Sequence, residues 1–199
     1  VTKTNTTFAN AHNLVGDKHT IKKIGVLRAY GTRHGAGPFV SEDLELTQKI
    51  PDLHNGTHDW QGRFRIGWLD LLASRYALEV IGGVEGIALT NLDRLIGKYS
   101  VNACTSYEYL GDEDLGSLFS YEIINGKKII RGIKVQKEAN AGIQQKLTAL
   151  LFDCKPIYTT FTYEDNYLSF LESEQGLATP IVIISKGPER KDKYMLKNI

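Results

Sequence analysis

The spacing of apolar residues predicts that short strands make up much of this chain. Runs of branched and aromatic residues are bounded by glycine, proline or polar clusters, which is the pattern of β-strands. Six segments fit it: 24–30, 85–90, 98–109, 155–162, 180–184 and 194–196. Residues 121–124 and 127–130 flank Asn125-Gly126. Because both of these turn residues tolerate positive φ, the two segments predict an antiparallel hairpin.

Three other segments have apolar residues three or four positions apart, which predicts amphipathic helices. The first begins at Trp68, with Arg75 and Glu79 expected to pair on its polar side. The third is expected to be capped by Thr162 and to end at Gly176. The apolar faces are Leu69, Leu72, Tyr76 and Val80 in the first helix, Ile143, Leu147, Leu150 and Leu151 in the second, and Tyr163, Tyr167, Phe170 and Leu171 in the third.

The order of these elements predicts the fold class. A helix, a short loop and a buried strand in succession are half of a βαβ unit, so the sheet is expected to be parallel there. The run at 180–184 is apolar throughout, as in a strand covered on both faces. We therefore predict an α/β fold with a mostly parallel central sheet flanked by helices, and an antiparallel hairpin. At this length we expect residues 1–199 to form a single domain.

Four polar loops follow predicted strands, at 31–38, 54–65, 90–93 and 185–190, the second less directly than the others. Loops at the carboxyl edge of a parallel sheet converge, and this edge is where open α/β sheets bind ligands. The loops therefore predict a composite nucleotide pocket. Residues 41–59 are mostly polar and predict one long loop.

The stretch 61–70 places Arg63 and Arg65 just before the predicted helix start. Arginine presents a planar, charged fork of donors that matches carboxylates and phosphates. The free N–H groups at a helix N-terminus would add to such an anion site. The alternative is a surface loop whose arginines pair with nearby acids. The residues of this stretch alone do not decide between the two interpretations.

Composition excludes several classes of function. The 24 basic and 23 acidic residues give a net charge of +1, so no overall basic field attracts nucleic acid or membrane lipid. No apolar run reaches membrane-spanning length, and the first residues lack a signal-peptide pattern. Cys104 and Cys154 lack metal-ligand spacing, which favours reduced thiols in a cytoplasmic protein. His54, His58 and Asp59 stand among Pro and Gly residues that argue against aligned ligands, so we predict no protein-held metal.

Six segments, taken together and in order, carry a resemblance. They are VTKTNTT (1–7), GVLRAYGTRHGAGPF (25–39), GRFRIGWLD (62–70), GIALTNLD (86–93), KPIY (155–158) and IISKGPER (183–190). They span nearly the whole chain, which resembles the C-terminal half of the adenylosuccinate synthetase family. The resemblance implies the C-terminal portion of a P-loop-NTPase-like fold.

For activity, the resemblance implies a GTP-dependent ligase that joins L-aspartate to IMP and forms adenylosuccinate in purine biosynthesis. Mg²⁺ would accompany GTP, the protein would be cytoplasmic, and the full-length protein would form a homodimer. The family's phosphate loop and catalytic residues belong to an N-terminal half with no counterpart in this sequence. We therefore expect no catalytic residues in this chain, and we expect the fragment alone to be inactive.

The resemblance also implies roles for individual residues. Substrate binding would involve Thr2, Arg33, His34, Gly35, Arg63 and Arg65, and GTP binding would involve Arg65, Asn91, Leu92, Asp93, Ser185, Lys186 and Gly187. Thr2 would hold the 5′-phosphate of the nucleotide, the backbone at His34 would meet its ribose, and Asp93 would meet the guanine of GTP.

Two departures from the family leave alternatives open. The loop at 56–63 is longer and poorer in arginine than in the family, and Asn91 stands where the family usually has lysine. One alternative is a divergent ligase that acts on another purine nucleotide such as dGMP. The other is a non-catalytic relative that only binds nucleotides.

Overall fold

The computed structural model of this chain describes residues 7–16, 19–52, 54–97, 100–136 and 140–198. The strands are β1 (Ile24–Arg28), β2 (Tyr30–His34), β3 (Thr57–His58), β4 (Gly62–Asp70), β5 (Gly86–Thr90), β6 (Val101–Tyr109), β7 (Phe119–Ile124), β8 (Lys127–Ile133), β9 (Cys154–Phe161), β10 (Ile181–Ser185) and β11 (Lys193–Met195). The helices are α1 (Ala9–Val15), α2 (Leu44–Lys49), α3 (Leu71–Val80), α4 (Ala141–Phe152) and α5 (Glu164–Glu172), with 3-10 turns at Leu92–Arg94 and Arg190–Asp192.

Four strands form the central sheet in the order β1–β5–β10–β11. Strand β5 runs parallel to both of its neighbours, and its end at Thr90 is level with Arg28 of β1. Strand β11 adds an antiparallel edge. Four of the five residues of β10 are buried, as expected from its unbroken apolar run. The predicted α/β fold with a parallel central sheet is confirmed.

A second, larger sheet is mostly antiparallel. Its order is β2–β4–β6–β8–β7, with β3 paired to β4 and β9 paired to β6. The predicted hairpin is confirmed, since β7 and β8 pair antiparallel and Asn125 and Gly126 join them with φ of 51° and 77°. Antiparallel pairing thus extends well beyond the predicted hairpin, because β2, β4, β6 and β9 also take part in it.

The first predicted helix begins three residues later than expected. Trp68 lies inside β4, and α3 starts only after Asp70. One oxygen of the Asp70 carboxylate accepts hydrogen bonds from the N–H groups of Leu72 and Ala73, both at 3.1 Å. Its other oxygen accepts the hydroxyl of Tyr107 at 2.6 Å. This cap sets the helix start, because it satisfies N–H groups that the first turn leaves free.

The predicted surface of α3 also differs from the observed one. Arg75 does not pair with Glu79. Instead it donates to the carbonyl oxygens of Gln175 and Arg131, at 3.2 and 3.3 Å. Val80, expected on the apolar face, is 50% exposed. The helix therefore uses Arg75 to contact other elements, and the predicted i,i+4 pair is wrong.

Two loop predictions are wrong in part. Residues 31–34 belong to β2, so the turn is confined to residues 35–38. Helix α2 interrupts the segment 41–59 that was predicted to be one loop. The helix forms because Asp43 caps it, accepting the N–H of Leu46 at 2.8 Å.

Helix α4 is confirmed, whereas α5 differs at both ends. Its N-cap is Tyr163 rather than Thr162, and Tyr163 makes no side-chain cap bond and is 70% exposed. The helix ends at its ninth residue, before Gly176. Tyr167 and Leu171 of the predicted aromatic face are fully buried. The apolar face of α5 is therefore narrower than predicted.

Candidate functional site

A polar cleft of about 410 Å³ opens at the carboxyl ends of the parallel strands β1, β5 and β10. Open α/β sheets bind their ligands at this edge. The lining residues come from the strand ends and from the segment before β3: Arg28, Tyr30, Asp52, His54, Asn91, Asp93, Arg94, Ser185, Gly187 and Pro188. The loops 90–93 and 185–190 therefore meet in one cleft.

Asp93 contributes to this cleft a half-buried carboxylate that has no protein partner among the described residues. The residue at the start of its 3-10 turn is Asn91, which has φ of 59° and makes no side-chain cap bond. Asp93 itself lies inside the turn and caps nothing. A partly buried charge without donors costs free energy. Its oxygens are therefore available to a ligand that carries hydrogen-bond donors.

Ser185 and Gly187 form the wall contributed by β10 and the loop after it. The Ser185 hydroxyl donates to the Gly187 carbonyl at 3.1 Å, which fixes the turn. A Cβ on residue 187 would clash with the side chain of Asp192, so a larger residue there would have to displace that carboxylate. Lys186, between them, pairs its ammonium with Glu164 at 2.8 Å and does not line the cleft.

The other wall contains two arginines, Arg28 and Arg94, and a turn in which Asp52 accepts a backbone N–H. Arg94 donates to the carbonyl of Pro51 at 2.7 Å. Asp52 accepts the backbone N–H of His54 at 2.9 Å, and this hydrogen bond is the main reason that the pKa of Asp52 lies below its usual value. Arg28 ends β1 at the cleft. His54 belongs to a loop that was predicted to reach the pocket, whereas Arg28, Asp52 and Arg94 were not predicted from the sequence to line it.

Leu92 cannot contact a ligand through its side chain, which is fully buried in the core. Any contact from this position would be made by the backbone. Thr2, expected at the nucleotide phosphate, lies outside the described residues.

Arg63 and Arg65 lie on β4, not on a loop at a helix N-terminus, so that part of the prediction is wrong. Arg65 is 14% exposed and donates to Glu42 and to the carbonyl oxygens of Gly35 and Gly37, the latter two at 2.9 Å. Arg63 is 59% exposed and donates to Glu42 at 2.8 Å. The arginines thus pair with a nearby acid, as the alternative interpretation required. Each of the three guanidinium nitrogens of Arg65 donates a hydrogen bond within the protein. Most N–H donors of Arg63 remain available to solvent or a ligand.

Arg33, His34 and Gly35 lie next to this pair, because β2 pairs with β4 and places Arg33 opposite Arg65. Arg33 donates to the carbonyl of Ala36 at 3.0 Å. The His34 ring packs edge-on against Phe64, with centroids 4.9 Å apart, and its buried Nε2 has no partner in the described structure. His34 is therefore a packing residue in this structure.

These residues do not line the cleft that contains Asp93. Arg33 instead lines a second cavity of about 580 Å³ between β2, α3 and α4. The expectation that all four polar loops converge on one pocket is therefore wrong. The loops 90–93 and 185–190 meet, and His54 of the loop 54–65 joins them, whereas the loop after β2 belongs to the antiparallel sheet.

The thiols and possible metal ligands add no further chemistry to the site. Burial raises the pKa of Cys154 to about 12 and that of Cys104 further, so both thiols stay protonated at neutral pH. Within the ranges that the structure covers, no three His, Cys, Asp or Glu side chains are grouped to hold a metal ion. None of the helices described is long and apolar enough to cross a membrane.

The chain is similar over nearly its whole length to proteins of one family. The model of the adenylosuccinate synthetase family matches residues 1–194. An adenylosuccinate synthetase from Christiangramia forsetii is 34% identical over 195 residues, which covers 96% of this chain and 43% of that protein. The enzyme of the same name from Bdellovibrio bacteriovorus is 37% identical over 190 residues, covering 92% and 40%. The chain thus spans less than half the length of these curated relatives.

A solved structure, described as fully ligated adenylosuccinate synthetase from Plasmodium falciparum, has the same fold. Its TM-score is 0.65 at 23% sequence identity, and the match covers 99% of this chain and 45% of that one. At this identity the likeness is evidence of the fold alone.

Proposed function

This chain belongs to the adenylosuccinate synthetase family, and we propose that it supplies the guanine-binding part of a purine-nucleotide ligase. The complete enzyme would couple GTP hydrolysis to joining L-aspartate to IMP, which gives adenylosuccinate. Residues 1–199 would form a single C-terminal domain of that enzyme. The Asp93 carboxylate, half-buried in a polar cleft and without a protein partner among the described residues, is the observation that carries the proposal.

Asp93 fits guanine because of the direction of its hydrogen bonds. An ionised carboxylate only accepts hydrogen bonds. Guanine presents two adjacent donors, its N1–H and its 2-amino group, whereas adenine presents a lone pair at N1 and no 2-amino group. Each hydrogen bond to a charged group contributes about 1.5–3 kcal/mol. Two of them would favour guanine over adenine by roughly a hundredfold or more.

The other walls of the cleft suit the remainder of a nucleotide. We assign Ser185 and Gly187 to closing over the base, since both line the cleft with Asp93. Arg28 and Arg94 place positive charge at the same cleft, where anionic groups are favoured. The backbone at Asn91 and Leu92 completes this assignment. Lys186 would have to release Glu164 before it could contact a nucleotide.

We assign the residues on β2 and β4 to binding the purine nucleotide and aspartate. Arg63 has unused donors and is the better candidate for an anionic substrate, whereas Arg65 positions the turn at Gly35. Arg33 and His34, on the neighbouring strand β2, would contact the same substrates. Thr2 keeps its proposed role at the 5′-phosphate, which follows from the resemblance.

Mg²⁺ would bridge the phosphates of GTP in the complete enzyme. The described residues of this chain do not provide a metal site, so we derive no step through the ion. Mg²⁺ in such enzymes is typically held by substrate phosphates, waters and one or two carboxylates. A cytoplasmic homodimer is part of the same proposal. The expectation that this chain alone is inactive stays a prediction, and adenylosuccinate formation by the purified 199-residue chain would contradict it.

The proposal is tested on this chain by titrating GDP and ADP, with binding followed by NMR. We expect GDP to shift the amide signals of residues 90–93 and 185–187 and to bind more tightly than ADP. The variant Asp93→Asn should lose most of that preference, because an amide can accept from only one guanine donor. Asp112→Asn, an exposed residue outside the cleft, is the matched control.

Equal affinity for GDP and ADP in the parent chain, or an unchanged preference in Asp93→Asn, would remove the basis for a guanine site. The identity of the second nucleotide needs the complete enzyme. Turnover with IMP but not dGMP would support the adenylosuccinate reaction, and the reverse result would support the divergent ligase.

A further inference from the structure

Arg75 of α3 lines neither the guanine cleft nor the cavity that contains Arg33, and it is a half-buried cation with no ion pair among the described residues. Its guanidinium donates to the carbonyl oxygens of Gln175, Gly176 and Arg131 at 3.2–3.4 Å. These distances are long for N–H···O hydrogen bonds. Burial lowers the pKa of Arg75, and the charge of Asp70 opposes this only in part. Since Asp70 already caps α3 and accepts a tyrosine hydroxyl, the guanidinium lacks a close counter-charge.

The guanidinium faces a cleft of about 300 Å³ whose walls come from separate elements of the fold. The lining residues are Arg75, Thr105, Arg131, Thr159, Phe170 and Gln175, and none of them is acidic. Thr105 lies at an irregularity in the pairing of β6 with β9, between Cys104 and Ser106. Such bulges redirect a side chain and are common beside binding sites.

Arg131 provides the second cation of this cleft. It contacts the exposed Glu122 at 3.3 and 3.4 Å, which is a weak surface pair. Its Nη1 and the Nε of Arg75 have no acceptor in the part of the chain that the structure covers. The hydroxyl of Thr159 also has no hydrogen-bond partner there. Residues with unused donors therefore line the cleft from α3, β8 and β9.

We propose that this cleft binds the phosphate group of a small phosphorylated ligand. A phosphate dianion can balance the charge of Arg75 and compete with the weakly held Glu122 for Arg131, and its tetrahedral oxygens can accept from donors that approach from several directions. A carboxylate is planar and carries a single charge, so it would match one arginine fork and compete less well with Glu122 for the second. Phe170 gives the cleft an apolar wall against which the rest of the ligand can pack. The site is separate from the proposed guanine cleft and shares no lining residue with it.

The test is a titration of the purified chain with inorganic phosphate, using calorimetry for affinity and NMR to locate the site. We expect saturable binding with shifts at Thr105, Thr159 and Gln175. Arg131→Gln and Thr159→Val should each weaken binding by about tenfold or more, because each removes a donor to a charged group. Succinate should bind more weakly than phosphate in the parent chain.

Two control variants test whether phosphate binds in this cleft rather than elsewhere on the chain. A third control tests whether a loss of binding results from unfolding of a variant. Arg94→Gln changes the guanine cleft and should leave phosphate binding at Thr105 and Thr159 unchanged. Lys146→Gln removes an exposed charge of α4 and should have no effect. Circular dichroism of each variant checks folding. The absence of saturable binding, or binding that folded Arg131→Gln and Thr159→Val chains retain in full, would overturn the proposal.

Discussion

The two arginines on β4 should respond differently to the same substitution. Arg65 makes four hydrogen bonds, two to Glu42 and one each to the carbonyls of Gly35 and Gly37. Lysine keeps the charge but can replace no more than two of them, because it lacks the planar fork. At about 1.5 kcal/mol for each lost bond to a charged group, Arg65→Lys should lower the free energy of unfolding by about 3 kcal/mol.

Arg63→Lys is the matched control, because Arg63 is 59% exposed and makes one ion pair with the same carboxylate. A surface pair of this kind contributes about 0–1 kcal/mol, and lysine can keep most of it. For a chain of this size, Arg65→Lys should lower Tm by roughly 6–12 °C. Arg63→Lys should change Tm by about 2 °C or less.

The assay is thermal unfolding followed by circular dichroism, with urea unfolding for the free energies. Equal losses of Tm in the two variants would refute the assignment of Arg65 to holding the turn. A larger loss in Arg63→Lys would refute it as well, and would assign the structural role to the exposed arginine instead.

Two further predictions concern the cap of α3 and the β7–β8 hairpin. Burial raises the pKa of Asp70 above its ordinary 3.8, so the folded chain binds the carboxyl proton of Asp70 more tightly than the unfolded chain does. The contribution of this proton to folding stability is therefore full below pH 3.8 and declines as the pH rises through the folded-state pKa. Urea unfolding at several pH values should therefore show the parent losing stability relative to Asp70→Asn as the pH rises, and a constant difference would contradict this. Gly126→Ala should lower the free energy of unfolding by about 1 kcal/mol, because φ at this residue is 77°. Steric contact is not the reason, since no atom lies within 4 Å of the added Cβ. Gly56→Ala, in equally open space with ordinary φ, should be close to neutral in the same urea experiment.

Elements whose signals are local could be predicted from the sequence. The Asn125-Gly126 turn was predictable because its residues must adopt positive φ, and both do. Helix α4 was predictable from its apolar spacing, and Asn140 caps it by accepting the N–H of Ile143 at 3.2 Å. The start of α3 was misplaced because the strand continues to Asp70, whose cap depends on Tyr107, 37 residues away.

The candidate site was predictable only where strand ends supply it. Asn91 and Asp93 follow β5 and Ser185 ends β10, and strand adjacency in the central sheet brings the three together. His54 reaches the same cleft from a loop whose position depends on contacts distant in sequence. Arg65 was misjudged for a similar reason, since Glu42 lies 23 residues before it. Neither the position of His54 nor the pairing of Arg65 with Glu42 produces a periodic pattern in the sequence.

The cleft that contains Asp93 and the cavity that contains Arg33 have a wall in common, which bears on how the proposed reaction is arranged. Arg28 and Tyr30 line both spaces. Arg28 ends β1 in the parallel sheet and Tyr30 begins β2 in the antiparallel one, with the fully buried Ala29 between them.

Transfer of a phosphoryl group from GTP to a second nucleotide requires the reacting groups to lie in contact. A chain that passes from one sheet to the other through a single buried residue keeps the two spaces adjacent. The crossing at residues 28–30, rather than the arginine pair on β4, is then the feature that would bring the two substrates of the proposed ligase together. Because Ala29 is 0% exposed, even a small increase in its volume should disturb both spaces at once.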